Sequence, residues 1–215
     1  MLTEEGRGGT AATAPVKRSQ CARCTRPVTA CICRWIAPFE SSVDLLILQH
    51  PMETSNAKGS ARLLHLSAAG SVLLQGECFD PDALSSALYG GGRTPVLLYP
   101  DTQDIVAPRL SPALVSNPAG LRLVVLDGTW RKSRKMLYQN PVLHALPRLP
   151  LTQMPASHYL IRKAHAPDQL STLEASCYAL AQLGATADLL TLLASFDAFV
   201  AHFQATGGRL ASDTQ

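Results

Sequence analysis

The sequence has no long apolar run and few charged or aromatic residues. No stretch of 18 apolar residues occurs in the 215-residue chain, so we expect no transmembrane helix. The first ten residues, MLTEEGRGGT, lack the apolar segment of a secretory signal. Charged residues make up 16% of the chain and the net charge is only +3. Binding of nucleic acid would therefore require a local cationic patch. With 47% hydrophobic residues, the chain can form one sizeable domain with a small appendage.

Four of the six cysteines lie within 13 residues, as Cys21-x-x-Cys24 and Cys31-x-Cys33. Without a secretory signal we expect a cytoplasmic protein, and in a reducing compartment clustered cysteines favour a metal over disulfides. Four thiolates at this spacing match a closed tetrahedral zinc site that stabilises a segment too short for its own core. Two disulfides or unconnected thiols are the alternative.

Residues 121–138, LRLVVLDGTWRKSRKMLY, are the most informative stretch. The apolar run at 123–126 predicts a strand buried on both faces of a parallel sheet. Thr129 is predicted to cap the following helix, which should end at Asn140 before a proline. The first two turns of this helix carry four cations, although the macrodipole disfavours cations there by about 0.3–1 kcal/mol each: Arg131, Lys132, Arg134 and Lys135. Such runs are usually solvated faces, but ligands bind at the carboxyl ends of strands in open α/β sheets, which favours a functional role.

Further strands are predicted at residues 43–48, 71–74 and 96–99, and helices at 58–66, 81–88, 172–184 and 187–204. A helical turn is expected near 112–115 and an edge strand within 147–155. Ser171 and Glu174 form a capping-box pattern. Gly90, Gly91 and Gly92 follow a helix, so they indicate a helix C-cap or hinge and not a phosphate loop. Cys78 and Cys177 stand alone among apolar residues and are predicted to be buried.

In their order along the chain, four elements resemble those of the DTW-domain family, the tRNA-uridine aminocarboxypropyltransferases. They are the cysteine cluster, the strand end Gln49-His50-Pro51-x-Glu53, the signature Asp127-x-Thr129-Trp130, and Arg162-Lys163 followed by Ser-Thr-Leu-Glu-Ala at 171–175. Together they cover residues 21 to about 180. Asp-x-Thr-Trp alone would be weak, whereas the ordered set is specific. The chain departs from the family at Gly59-Ser60, where relatives often have a polar pair such as Asn-Thr.

The resemblance implies an α/β fold with a parallel sheet, flanking helices and a C-terminal trefoil knot, as in the SPOUT RNA methyltransferases. A small N-terminal zinc knuckle with four cysteines would precede it. We expect a disordered tail at 1–19, a zinc-binding segment at 20–40, the catalytic domain at 41–206 and a flexible tail at 207–215.

The resemblance also implies the activity. S-adenosylmethionine would donate its 3-amino-3-carboxypropyl group to the ring imide nitrogen of a uridine in tRNA, and methylthioadenosine would be released. No membrane or obligate protein partner is implied. Two alternatives stay open: methyl transfer from the same donor, as in SPOUT enzymes, and a zinc-knuckle RNA-binding protein without catalysis.

Asp127 stands at the end of a rigid strand, where a carboxylate can act as the general base that removes the imide proton. Capping of the turn is its alternative role. Thr129 and Trp130 are expected to orient the donor or stack on a base, although Trp130 could equally belong to the core. His50, also at a strand end, is a candidate RNA ligand, while isolated histidines are more often structural.

By analogy with the fold, the donor should lie at three chain segments. Their residues are Leu97, Leu98, Tyr99, Pro100, Leu126, Gly128, Ser171, Thr172 and Leu173. The amides that start the helix at 172 could hold the donor carboxylate or simply be capped. The residues expected to contact tRNA are His50, Arg131, Lys132, Arg134, Lys135, Arg162 and Lys163, the cations among them through phosphates.

Overall fold

A computed structural model of the chain describes residues 19–56, 59–102, 107–152, 170–185 and 188–206. Four strands and six α-helices alternate along these residues. The strands are β1 (Asp44–Gln49), β2 (Val72–Gln75), β3 (Thr94–Leu98) and β4 (Leu121–Asp127). The helices are α1 (Ala61–Ser67), α2 (Pro81–Tyr89), α3 (Pro112–Val115), α4 (Trp130–Gln139), α5 (Thr172–Gln182) and α6 (Leu189–Ala205).

The strands form one parallel sheet in the order β2-β1-β4-β3. At the carboxyl end of the central pair, Gln49 is in register with Asp127, and Gln75 of β2 is in register with Gln49. Beyond β3, Arg148 forms a parallel bridge to Leu97. Arg148 also bridges Arg109, so the predicted edge strand is reduced to isolated bridges within the described residues.

Alternate residues of the central strands face two separate cores, as the two-residue period of a strand requires. On one face, Leu45, Ile47 and Val125 pack with α1, α5 and α6. On the other, Leu46, Leu48 and Val124 pack with α2 and α4. The sheet is therefore covered by helices on both faces, and the predicted class, a parallel sheet with flanking helices, is confirmed.

The cysteine-bearing segment packs onto the first of these cores. Trp35 is buried and meets Phe199 of α6 edge-on, with ring centroids 5.1 Å apart. Its carbonyl accepts a hydrogen bond from Ser195 Oγ at 2.7 Å. Residues 20–40 therefore share a core with the sheet. The C-terminal knot stays a prediction, and residues 153–169 lie outside the described part of the chain. The two tails also stay predictions, since only Ser19 of the first tail and no residue of the second are described.

Local signals predicted most helix starts. Asp80, Thr129 and Ser171 accept backbone hydrogen bonds as N-caps, and the capping box with Glu174 is complete. The prediction for Cys78 was wrong: Cys177 is buried, but Cys78 is exposed. Cys78 lies in the loop between β2 and α2, where the neighbouring Phe79, not the thiol, packs against the second core.

Candidate active site and cysteine cluster

Asp127 lies at the centre of a row of hydrogen bonds along the carboxyl edge of the sheet. Its Oδ2 accepts from Gln49 Nε2 at 2.9 Å, and its Oδ1 accepts from Thr172 Oγ1 at 2.7 Å. Gln75 Nε2 extends the row to Gln49 Oε1 at 3.4 Å. The Asp127 residue is only 5% exposed. The carboxylate is thus fixed from β1 and from the start of α5.

The start of α4 places the other signature residues beside Asp127. Thr129 Oγ1 accepts from the Lys132 amide at 3.4 Å, which makes it the helix cap. A Cβ on Gly128 would approach Lys132 Cβ to 3.0 Å, so glycine allows the helix to start close to the strand. Trp130 is 58% exposed, and the alternative that it belongs to the core is therefore wrong.

The start of α5 is satisfied internally. The Ser171 amide donates to Glu174 Oε2 at 2.7 Å, and the Glu174 amide donates to Ser171 Oγ at 3.2 Å. The Leu173 amide donates to Ser60 Oγ at 3.3 Å. These contacts occupy three of the amides that were candidates for the donor carboxylate, so capping is the role that the structure gives them. They also give a role to Ser60, in the loop where the chain departs from its family.

The predicted donor segments converge on the same edge. β3 ends at Leu98, next to β4, which ends at Asp127 and pairs with it in parallel. Leu97 and Leu173 are fully buried and Leu126 is 9% exposed, so these side chains belong to the two cores beneath the edge. Tyr99 is also buried, whereas Pro100 is exposed.

Lys132 and Lys135 of α4 are held in ion pairs. Lys132 Nζ lies 2.8 Å from Glu53 Oε1, and the Glu53 side chain is 8% exposed. Lys135 Nζ lies 2.9 Å from Glu77 Oε2, at a more exposed position. Arg131 and Arg134 are exposed. Lys132, predicted to contact a phosphate, is thus engaged inside the protein. Arg162 and Lys163 lie outside the described residues.

His50 is also engaged within the protein. It is 5% exposed. Its Nε2 lies 2.9 Å from Glu77 Oε1, and its Nδ1 accepts from the Met52 amide at 3.1 Å. Lys135 and then His50 hold the pKa of the Glu77 carboxyl below its ordinary range. Both ring nitrogens are used, which favours the structural role of His50 over the RNA contact.

A chain of contacts joins the cysteine segment to this edge. Arg26 Nη2 donates to the carbonyls of Gly59 at 2.8 Å and Asn56 at 3.4 Å. Asn56 Nδ2 donates to Glu53 Oε2 at 3.0 Å, and the other oxygen of Glu53 holds Lys132. The loop after β1 is therefore fixed from both sides. Arg26 was not predicted, because nothing in its sequence neighbourhood indicates a partner 30 residues away.

Arg148 is a second residue that sequence reasoning missed. It is 4% exposed, and its Nη1 donates to Pro100 O at 2.8 Å and Thr102 Oγ1 at 3.2 Å. Its guanidinium carbon lies 5.1 Å from the Tyr99 ring centroid. Arg148 thus fixes the loop that follows β3. It sits in a proline-rich segment whose pattern gives no signal for a buried cation.

The four clustered cysteines have the geometry of a zinc site. Their sulfur atoms all lie within 4.8 Å of one another. Cys21 and Cys33 are 3.6 Å apart and Cys24 and Cys31 are 3.8 Å apart at sulfur. A tetrahedron with Zn–S bonds of about 2.3 Å requires sulfur separations of about 3.8 Å, whereas a disulfide requires about 2.05 Å. The separations fit a metal, and all six cysteines are free thiols.

The turn around Cys21 favours its thiolate. Backbone hydrogen bonds from Cys24 and Arg23 lower the pKa of the Cys21 thiol to about 6. A metal ligand must be deprotonated, so the turn prepares one of the four ligands at neutral pH.

The longest helix among the described residues, α6, has 17 residues. None of the described helices combines the length and hydrophobicity needed to cross a membrane.

Comparison with known proteins gives consistent matches. The tRNA-uridine aminocarboxypropyltransferase 2 of Drosophila melanogaster is 31% identical over 188 residues, which cover 84% of this chain and 73% of that protein. The mouse protein of the same name is 28% identical over 175 residues, 78% of this chain and 57% of its own length. The tRNA-uridine aminocarboxypropyltransferase A of Arabidopsis thaliana is 26% identical over 143 residues, 59% of this chain and 53% of its own length. The chain thus spans little more than half the length of the mouse and plant relatives. No solved structure matches it.

The model of the DTW domain matches residues 18–204. This range contains the cysteine cluster, the whole sheet and both residues that hold the Asp127 carboxylate, so the match covers the complete site described above. The chain belongs to the DTW-domain family.

Proposed function

We propose that the chain transfers the 3-amino-3-carboxypropyl group of S-adenosylmethionine to the ring imide nitrogen of a uridine in tRNA. The observation that carries this proposal is the buried Asp127 carboxylate, held at 2.9 and 2.7 Å by Gln49 and Thr172, in a chain of the DTW-domain family. The names of the relatives support the reaction. We further propose that the fold is of the SPOUT type, that it closes with a C-terminal knot, and that the protein is cytoplasmic.

In the proposed step, a bond forms between the imide nitrogen and the carbon next to the sulfonium sulfur. The carbon–sulfur bond breaks, its electron pair stays on sulfur, and neutral methylthioadenosine leaves. Because the leaving group is neutral, the protein needs chiefly to align the reactants and remove one proton. Asp127 takes the imide proton. Gln49 and Thr172 keep the carboxylate in place, and residues 97–100, 126–130 and 171–173 line the donor site.

Mass spectrometry of nucleosides tests the reaction. Unmodified tRNA incubated with the protein and S-adenosylmethionine should yield aminocarboxypropyl-uridine together with methylthioadenosine. Methyluridine and S-adenosylhomocysteine would instead establish methyl transfer and refute the proposal. Absence of both products, together with a melting temperature that S-adenosylmethionine does not raise, would favour a non-catalytic RNA-binding protein. Absence of both products from a protein that the donor does stabilise would point to a different tRNA or RNA acceptor.

The role of Asp127 is tested by Asp127→Asn. Loss of a general base should lower kcat by roughly 10²- to 10⁴-fold, while the melting temperature changes little because the amide is nearly the same size. Asp82→Asn, on the exposed first turn of α2, is the matched control. Near wild-type turnover of a folded Asp127→Asn protein would show that Asp127 only holds α5 in position.

We propose that Cys21, Cys24, Cys31 and Cys33 hold a structural zinc ion, which would contribute folding energy to residues 20–40. Protein purified without chelator should contain one zinc per chain, and Cys33→Ser should lose it. Cys78→Ser, which changes an exposed thiol outside the cluster, should keep the metal. Metal-free wild-type protein would refute this assignment.

A further inference from the structure

The exposed face of α4 combines aromatic rings and cations. Trp130, Arg134 and Tyr138 are spaced four residues apart, so they lie on one face of the helix. Trp130 is 58% and Tyr138 43% exposed, and Arg134 is exposed between them. We call these three residues the aromatic stripe. Rings this exposed leave apolar area in contact with water, and a surface of this kind suits a stacking ligand.

Both rings of the stripe are supported by a neighbouring ring. Tyr99 lies edge-on to Trp130 with centroids 5.9 Å apart. His144 lies edge-on to Tyr138 at 5.8 Å, and His144 Nε2 is within 2.9 Å of the Leu137 carbonyl. The rings are therefore held in place before any partner arrives, which lowers the entropy that binding would cost.

A cavity of about 160 Å³ opens along the stripe. Its walls are Tyr99, Thr102, Arg134, Leu137 and Tyr138. It is smaller than the pockets of about 300–1,000 Å³ that enclose whole drug-sized ligands. A flat ring fits it better than the complete donor molecule does.

The surroundings of the cavity are positively charged. Arg134 lies 5.7 Å from the Tyr138 ring centroid. Behind the wall, Arg148 contacts both Tyr99 and Thr102, and its Nε and Nη2 are buried without a hydrogen-bond partner among the described residues. Arg131 and Lys135 stand exposed on the next stripe of the same helix. An anionic chain with flat aromatic groups is the ligand that suits such a surface.

We propose that the aromatic stripe binds unstacked nucleobases of a single-stranded tRNA segment that continues from the target uridine. One base would occupy the cavity that Arg134 and Tyr138 line, while Trp130 would stack on a base nearer Asp127. Four residues of helix advance about 6 Å, enough for one base between successive side chains of the stripe. The inference rests on the proposed function, because it places this RNA segment beside the proposed acceptor site.

Fluorescence gives a direct test, because the chain has two tryptophans and only Trp130 is exposed, Trp35 being 6% exposed. A short single-stranded oligouridylate added to the full chain at fixed salt should quench the emission, and Trp130→Phe should abolish the quenching. Tyr138→Ala should weaken binding of the same oligonucleotide by roughly 5-fold or more, and Tyr138→Phe should restore it. Tyr89→Ala, which removes a similarly exposed ring from α2, is the matched control.

The kinetic counterpart is a rise in the KM for tRNA with Tyr138→Ala, with kcat and the KM for S-adenosylmethionine unchanged. Absence of quenching in the wild-type protein would overturn the inference, as would equal binding by Tyr138→Ala and Tyr89→Ala. Its failure differs from failure of the proposed function: an active enzyme without quenching refutes only the stripe, while quenching without any product refutes only the reaction.

Discussion

Two lysines of α4 provide a matched test of how burial sets the strength of an ion pair. Lys132 and Lys135 lie one turn apart, and each holds a carboxylate at 2.8–2.9 Å. The side chains of Lys132 and Glu53 are 23% and 8% exposed, against 56% and 29% for Lys135 and Glu77. Replacing each lysine by methionine removes the charge while keeping most of the stem, so the two variants differ chiefly in the burial of the carboxylate left behind.

The expected effects differ several-fold. Breaking a buried pair by removing one partner costs about 3–5 kcal/mol. Here Asn56 still donates to Glu53 and Lys132 is partly solvated, so we expect about 2–3 kcal/mol for Lys132→Met. An exposed pair such as Lys135–Glu77 contributes about 0–1 kcal/mol. For a chain of this size, each kcal/mol lowers Tm by roughly 2–4 °C. Lys132→Met should therefore lower Tm by roughly 4–12 °C, and Lys135→Met by at most about 4 °C.

Thermal unfolding followed by circular dichroism, with denaturant titration for the free energies, measures both effects. Adding Glu53→Gln to Lys132→Met should recover part of the loss, because it removes the buried charge that Lys132 had neutralised. The same variants separate stability from RNA binding. Lys135→Met should reduce the salt dependence of tRNA binding by about one phosphate contact, and Lys132→Met should leave it nearly unchanged. Equal Tm values for the two single variants, or a lower salt dependence only in Lys132→Met, would refute the reasoning.

Three further predictions concern the frame around the site. Arg26→Ala should lower Tm and kcat while the metal content stays constant, because it releases the loop after β1 from the cysteine segment. Arg23→Ala, on the exposed side of that segment, is the control and should leave Tm, kcat and metal content unchanged. Burial, and then the charge of Arg62, lower the pKa of His65 in the folded protein. As the pH falls, His65 is therefore protonated in the unfolded chain before it is protonated in the folded one, and the free energy of unfolding should decrease below about pH 6.5. His65→Gln should reduce this pH dependence of stability. Phe196→Ala, at a fully buried position, should cost about 3–5 kcal/mol in denaturant unfolding, against less than about 0.5 kcal/mol for Leu190→Ala at an 80% exposed position of the same helix.

The parts of the fold that could be predicted depend on local chemistry. The run at 123–126 is apolar on both faces because helices cover both sides of the sheet, and Thr129 and Ser171 cap helices through amides three residues away. On α6, apolar residues at 189, 193, 196, 200 and 203 follow spacings of three and four, a pattern that predicts one apolar face. Leu192 and Phe199 are also buried. These two residues were missed because a wider face of α6 is buried, against both α5 and the cysteine segment.

The contacts that define the site are not local. Gln49 and Asp127 are 78 residues apart in the chain, and Glu53 and Lys132 are 79 apart. Strand register decides such pairs, and the sequence pattern of a single strand carries no information on which strand lies beside it. The signature could therefore indicate that Asp127 matters, but not that Gln49 and Thr172 would hold it. Similarly, Cys78 resembled Cys177 in its apolar neighbours, and only the tertiary structure shows that its loop leaves the thiol in solvent.

The cations at the start of α4 lead to a different conclusion from that suggested by the sequence. Four cations near the positive end of a helix seemed to require tRNA phosphates as their explanation. The structure accounts for two of them within the protein, since Lys132 and Lys135 each meet a carboxylate. These acids come from the loops after β1 and β2, so the same pairs that offset the dipole also fasten those loops to α4. An RNA contact is therefore better sought where cations stand next to exposed rings, at Arg131 and Arg134 with Trp130 and Tyr138, than over the whole basic run. On this view the basic residues will separate in experiment: substitution of Lys132 will act on stability, substitution of Lys135 chiefly on the salt dependence of RNA binding, and substitutions along the aromatic stripe on RNA affinity.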